Sequence, residues 1–293
     1  FVIVLMIKKR ILITGGNSPV TIDILKKINP NKNNIFVSTR KSIKKKYKFN
    51  HVKYLKLDLK NKIKLKEKNF DYLIHVASAT PYKKYSQKEY HKINILGLKK
   101  LLNSVGKFEK IILFSTTDVL ELASKNGLKK LKNDKKFIYS KSKHQMEKIL
   151  KVYAIKNKIR CLVLRCPAIM CKTPNDINFI QKIIHNSIKK KKITVYNPQI
   201  RFNNIIDTTT LYNVISYFFK KNNLKRYFYN FSIAPRDNIS LAKFFESINK
   251  LKKLDINFDY ANSETKITKP INVSKKILSN FEMPYIKKVI KRI

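Results

Sequence analysis

The chain has 293 residues, 43% of them apolar, enough to bury a real core as one large domain or two interlocked ones and to exclude disorder as the default. Its 65 Lys and Arg against 18 Asp and Glu give a formal charge of +47, which taken alone points to nucleic acid or an anionic membrane. Yet the lysines run from Lys8 to Lys291 and form runs only at Lys44-Lys45-Lys46 and Lys189-Lys190-Lys191-Lys192. Lys, Asn and Ile are abundant in every segment, as a coding bias would make them, so neither nucleic acid nor a membrane is the expected partner.

The opening Phe1-Val-Ile-Val-Leu5 is apolar, has no basic residues before it and is too short for a signal peptide or a membrane span, with Met6 as the expected genuine start. Apolar runs then alternate with amphipathic stretches: Arg10–Thr14, Asn34–Ser38, Val52–Leu57, Tyr72–Val76, Lys110–Ser115 and Arg160–Arg165, with helices expected over 18–28, 86–105 and 137–156. Short buried strands alternating with helices predict an α/β fold built on a doubly wound, Rossmann-like parallel sheet. Ligands of such sheets bind at the carboxyl ends of the strands.

After Arg165 the order loosens: a helix near 176–191, a strand at 193–196, a helix near 208–221, a strand at 227–231 and a helix near 240–250. The expected division is a dinucleotide-binding domain over 1–165, to which about 200–228 returns. A smaller C-terminal substrate lobe takes 166–199 and 229–293. Cys161, Cys166 and Cys171 lie five apart, and an odd separation along a strand sends neighbours to opposite faces. No metal site or disulfide framework follows, and reduced thiols suit a cytoplasmic protein.

Two segments carry the chemistry. On the helix over 137–156, Tyr139 and Lys143 stand at i,i+4, which sets a phenol beside an ammonium. A cation about 4 Å away at an effective dielectric of about 20 favours the phenolate by up to about 4 kcal/mol, lowering a pKa near 10 by nearly 3, so the group can trade protons near neutrality. Earlier, β-strand residues run into Thr14-Gly-Gly-Asn-Ser-Pro-Val-Thr21, a strand-to-helix turn of the kind that cradles a pyrophosphate. Ser18 and Pro19 there read nearly as well as a plain N-cap followed by proline at the first helical position.

Taken in order, these segments resemble the extended short-chain dehydrogenases/reductases, the NAD(P)-dependent nucleotide-sugar epimerase/dehydratase family. Ile11–Gly16 is similar to that family's first strand and turn, Asp58-Leu59 to its adenine-contacting pair, His75-Val-Ala-Ser78 to its His-x-Ala segment and Asn94-Ile-Leu-Gly97 to its Asn-x-x-Gly helix. Phe114–Val119, Tyr139-x-x-x-Lys143, Leu164-Arg-Cys-Pro167, Asn204–Asp207 and Tyr229-Asn230 continue the series. The resemblance implies Tyr139 as the acid/base, Lys143 as the group that lowers its pKa and holds the nicotinamide ribose, and Thr116 as a hydrogen-bond partner of the reacting sugar oxygen. It implies cofactor contacts from Gly15, Gly16, Ser18, Asp58, Leu59, Ala77, Asn94 and Pro167, with Asn94 also supporting the active-site helix.

The departures shape the expectation further. Ser18 and Thr21 replace the family's second and third glycines, and Pro19 removes a backbone donor. The second strand ends Val37-Ser-Thr-Arg40 without an acidic residue for an NAD ribose, so Arg40 points to a 2′-phosphate and to NADP, with NAD as the other cofactor considered. Asp118 occupies the place where dehydratases of the family carry an acid. Arg201 is a candidate contact for the substrate diphosphate. The expected function is an epimerase, reductase or dehydratase of a nucleotide sugar, and a homodimer by analogy with relatives. The alternative is a non-catalytic dinucleotide sensor or scaffold of the same fold.

Overall fold

A computed structural model describes residues 8–83, 85–123, 136–173, 180–181, 192–253, 256–262, 270–273, 276–278 and 280–292. The apolar opening and most of the helix expected near 176–191 lie outside the described residues. By internal contacts the chain divides into two units, residues 1–165 with 219–231, and residues 166–218 with 232–293.

The first unit is an α/β layer structure around a seven-stranded sheet. Its strands are β1 (Lys9–Thr14), β2 (Asn33–Thr39), β3 (Val52–Lys56), β4 (Tyr72–His75), β5 (Lys110–Thr116) and β6 (Arg160–Cys166), with Phe228–Ser232 outside β6. The spatial order from the other edge is β3, β2, β1, β4, β5, β6 and then Phe228–Ser232. β1 pairs in parallel with both β2 and β4, β2 with β3, and β4 with β5. Every residue of β4 and β5 is buried, which explains why these strands read as continuous apolar runs rather than alternations.

The helices of this unit are α1 (Pro19–Leu25), α2 (Gln87–Tyr90), a π-helical stretch (His91–Leu96), α3 (Gly97–Ser104) and α4 (Lys136–Asn157). Leu98 and Leu101 of α3 and Met146 and Leu150 of α4 pack with Leu73, Ile111, Leu113 and Val163 of the sheet in one core. α1 is shorter than the expected 18–28: Lys27 N–H turns to the Ile24 carbonyl at 3.0 Å, tightening the last turn ahead of Pro30.

The second unit holds helices Thr208–Lys220 (its last two residues belong to the first unit), Leu241–Lys252 and Ile286–Arg292 with short strand pairs. Ala168–Met170 pairs in parallel with Ile205–Asp207, and Lys192–Tyr196 with Asn257–Ala261. Buried Asn203 bonds the Pro235 and Ile271 carbonyls and the Ile271 N–H, so one side chain ties three loops. No described helix is long and apolar enough to cross a membrane.

Candidate active site

The parallel register brings Thr14 of β1 level with Ser38 of β2 and His75 of β4, so their carboxyl ends share one edge of the sheet. Gly15 follows Thr14 at φ +84°, a left-handed conformation that glycine adopts freely. A Cβ there would stand 3.0 Å from the Ala77 nitrogen, and one on Gly16 would stand 2.5 Å from a Val37 methyl. The N–H groups of both glycines donate to the Ser38 carbonyl, at 3.1 and 3.0 Å. These two glycines are therefore demanded by the packing of the turn itself.

Beyond them the turn differs from an all-glycine version. Ser18 sits at the N-cap position of α1 with extended backbone and Pro19 at the first helical residue, as the sequence suggests, but its hydroxyl makes no capping bond. Thr21 is fully buried, and among the described residues its hydroxyl has no hydrogen-bond partner. Where a glycine would let helix and strand approach, a side chain is enclosed instead. Asn17 spans from the turn to the Lys41 carbonyl at 3.0 Å. Arg40 is exposed just beyond β2.

Asp58 is half-buried, and its carboxylate accepts from the Lys60 N–H at 2.9 Å, which fixes the turn after β3. Leu59 is buried against Gly97, where a Cβ would come within 2.8 Å of the Leu59 Cβ, so the Asn-x-x-Gly spacing has a packing reason. Ala77 is half-buried and donates its N–H to the Thr14 hydroxyl at 3.2 Å. That hydroxyl also bonds His75 Nδ1 at 2.9 Å, joining β1 to the loop after β4.

Asn94 lies within the π-helical stretch and is fully buried. Its amide oxygen accepts from Ala79 N–H at 2.7 Å, and its amide nitrogen donates to the Ala79 carbonyl at 3.2 Å and to Ser142 Oγ at 2.9 Å. Ser142 in turn donates to the Tyr139 carbonyl at 2.7 Å. One amide thus fastens the loop after β4 to α4 between Tyr139 and Lys143. π-Helical insertions re-aim single side chains in this way, often at functional sites.

On α4, Tyr139 is half-buried with its ring centroid 6.2 Å from that of Tyr90, while Lys143 is only 2% exposed. Burial, and then the positive charge of Lys143, push the His75 imidazole down to about 3. Thr116 ends β5, buried, and its hydroxyl accepts from the Asp118 N–H at 3.3 Å, which leaves its own proton to donate elsewhere. Asp118 is half-buried in the 3₁₀ turn Thr117–Ala123 that packs against α4. A hydroxyl, a phenol and a buried ammonium therefore belong to two packed elements, β5 and α4, at the carboxyl edge of the sheet. Such a set can bind and move a proton at one oxygen of a substrate.

The remaining expected residues lie in the second unit. Pro167 is half-buried directly after β6. Arg201 is exposed, and its guanidinium is engaged by Asn238, to the side-chain oxygen at 2.5 Å and to the carbonyl at 2.8 Å. Among the described residues no group of three or more His, Cys, Asp or Glu is gathered to hold a metal ion.

Sequence reasoning passed over Ser142, Ser115, Glu147 and Arg165. The missed signal is Glu147, the only acidic residue of α4 and one turn beyond Lys143.

The profile of the NAD dependent epimerase/dehydratase family matches residues 11–209. The chain belongs to that family. Solved structures of similar fold cover almost the whole chain. A UDP-N-acetylglucosamine 4-epimerase from Methanobrevibacter ruminantium, solved with UDP-N-acetylmuramic acid, is 17% identical with a TM-score of 0.73, covering 97% of this chain and 96% of that one. A Thermus thermophilus UDP-glucose 4-epimerase complexed with NAD is 13% identical with a TM-score of 0.72, covering 97% of each. RMD from Pseudomonas aeruginosa complexed with NADPH is 14% identical with a TM-score of 0.70, again covering 97% of each. A comparison with curated protein sequences finds no match.

Proposed function

We propose that this protein is an NAD(P)-dependent enzyme that epimerises, reduces or dehydrates a nucleotide sugar, with Tyr139 as its acid/base. The observation that carries the reading is the enclosed Lys143 ammonium, one helical turn from Tyr139 on a helix packed against the strand that ends in Thr116. In this reading residues 1–165 with the returning strand region hold the dinucleotide, and the second unit supplies the substrate lobe, with Arg201 toward the diphosphate.

The glycine turn fits a dinucleotide at Gly15 and Gly16, with Ala77 beside the turn, Ser18 at the helix start and Asp58, Leu59 and Pro167 as further contacts. A bound nicotinamide would supply hydride exchange at a sugar carbon. Tyr139, as phenolate, would take the proton of the hydroxyl on that carbon. Thr116 would donate a hydrogen bond to the same oxygen, and Lys143 would stabilise the phenolate and hold the nicotinamide ribose. Asn94 acts through α4 by holding Ser142. NADP is the proposed cofactor, because Arg40 is exposed after β2 where no carboxylate follows the strand. Asp118 beside Thr116 supports the dehydratase variant, in which it would remove the proton next to the carbonyl.

The test is turnover of a panel of nucleotide sugars by the wild type and by Tyr139→Phe, with NADPH and NADH titrated by fluorescence. Turnover that vanishes in the variant while NADPH still binds supports the reading; a fully active variant overturns it. Asp118→Asn then separates the reactions, since it stops a dehydratase and spares an epimerase or reductase. A second reading, a non-catalytic dinucleotide sensor or scaffold, is favoured by Ser18, Pro19 and Thr21 in the turn. It predicts NADPH binding without turnover of any sugar.

The assembly proposed is a cytoplasmic homodimer through α2–α3 and α4, whose outer faces expose Leu96, Val152 and Ile155. Sedimentation measures it directly.

A further inference from the structure

Glu147 is 4% exposed on α4, eight residues beyond Tyr139 and four beyond Lys143, so all three lie along one side of the helix. Ser115 Oγ donates to its Oε1 at 2.5 Å. Arg165 grips it in a fork, with Nε donating to the two oxygens at 3.1 and 3.2 Å and Nη2 to Oε2 at 2.6 Å. Ser115 immediately precedes Thr116 on β5, and Arg165 stands near the end of β6. One buried carboxylate therefore clamps the proton-handling helix to two strands, next to the residue that must face it.

We infer that Glu147, with Ser115 and Arg165, is a positioning residue that fixes α4 along β5 so that Tyr139 and Lys143 meet the same substrate oxygen as Thr116. The inference rests on the proposed catalytic reading. Ordinary packing would hold the helix on the sheet, but apolar contacts are non-directional and tolerate sliding. A bidentate guanidinium–carboxylate fork and a short hydroxyl bond do not. The charge balance agrees: Lys143 and Arg165 bring two cations into this enclosed corner, and Glu147 offsets one of them. A misplacement of about 1 Å between reacting groups is enough to cost about 100-fold in rate.

The test measures kcat, KM, NADPH affinity and Tm for Glu147→Gln, Ser115→Ala and their double variant. Leu102→Ala, a core change in α3, serves as a control for lost stability. The expected result is a kcat lower by about 10- to 100-fold in Glu147→Gln, with KM and NADPH affinity within about threefold. The double variant should be less impaired than the product of the single effects, because both remove the same tie. Leu102→Ala should lose Tm and keep kcat. If Glu147→Gln turns over at the wild-type rate below its Tm, the positioning role is overturned while the catalytic reading stands. If the wild type turns over no nucleotide sugar, both are overturned, and the failure is seen in the wild type alone.

Discussion

The corner around Tyr139 and Lys143 and the glycine turn lie on the same edge of one sheet and differ in how they are built. Around Tyr139 and Lys143 the groups that tie α4 in place are committed, although His75 Nε2 and His144 Nδ1 are buried without a hydrogen-bond partner among the described residues: Asn94 makes three bonds, Ser142 passes one on to Tyr139, and Glu147 accepts from two partners. Around Gly15 and Gly16 the backbone is held equally well by Ser38, yet Thr21 carries a buried hydroxyl without a partner among the described residues and Ser18 leaves its cap unmade. The lesson is that retained glycines do not by themselves mark a ligand site. Here their own packing requires them, whereas an enclosed lysine on α4 meets no apolar packing need.

The largest expected effect falls on the corner. Tyr139→Phe should lower kcat by about 10³-fold while NADPH affinity changes by less than about threefold, in steady-state kinetics paired with fluorescence titration. Equal losses in both would mean that the tyrosine binds rather than reacts, and would erase the contrast with the turn. Asn94→Ala strands the Ala79 N–H and carbonyl in a buried site and should cost about 2–4 kcal/mol in urea unfolding. A loss below about 1 kcal/mol, roughly one ordinary hydrogen bond, would show that the support is dispensable.

The pH dependence tests the neutral His75. Its folded pKa of about 3 lies below the unfolded value near 6.5, so the unfolded state binds more protons between these limits and stability falls as pH drops through that window. From pH 7 to pH 5 this group alone should remove about 2 kcal/mol. Comparison of wild type with His75→Asn isolates it, because the variant lacks the titration. Identical slopes for the two proteins would place the proton elsewhere.

The smallest effect belongs to the turn. Thr21→Val keeps the shape and removes the orphan hydroxyl, and should stabilise by about 1 kcal/mol in urea unfolding. A destabilised variant would mean that the hydroxyl is satisfied, and the contrast at Thr21 would fall.

Much of this was legible in the chain. Continuous apolar runs between amphipathic stretches determined the parallel sheet, because strands buried on both faces admit little else. The i,i+4 spacing determined that Tyr139 and Lys143 are neighbours, since helix geometry alone enforces it. The ordered motifs determined the family. Only the tertiary structure decided which polar residues hold that pair in place. Asn94 reaches Ser142 across 48 residues and Ser115 reaches Glu147 across 32, and no local periodicity records such partners. Nor could the sequence tell that Gly97 is required by Leu59, or that the Ser18 hydroxyl leaves α1 uncapped. Local rules specify which elements form and which face each residue takes; hydrogen bonds between elements depend on where the packed helices come to rest, which the core as a whole determines.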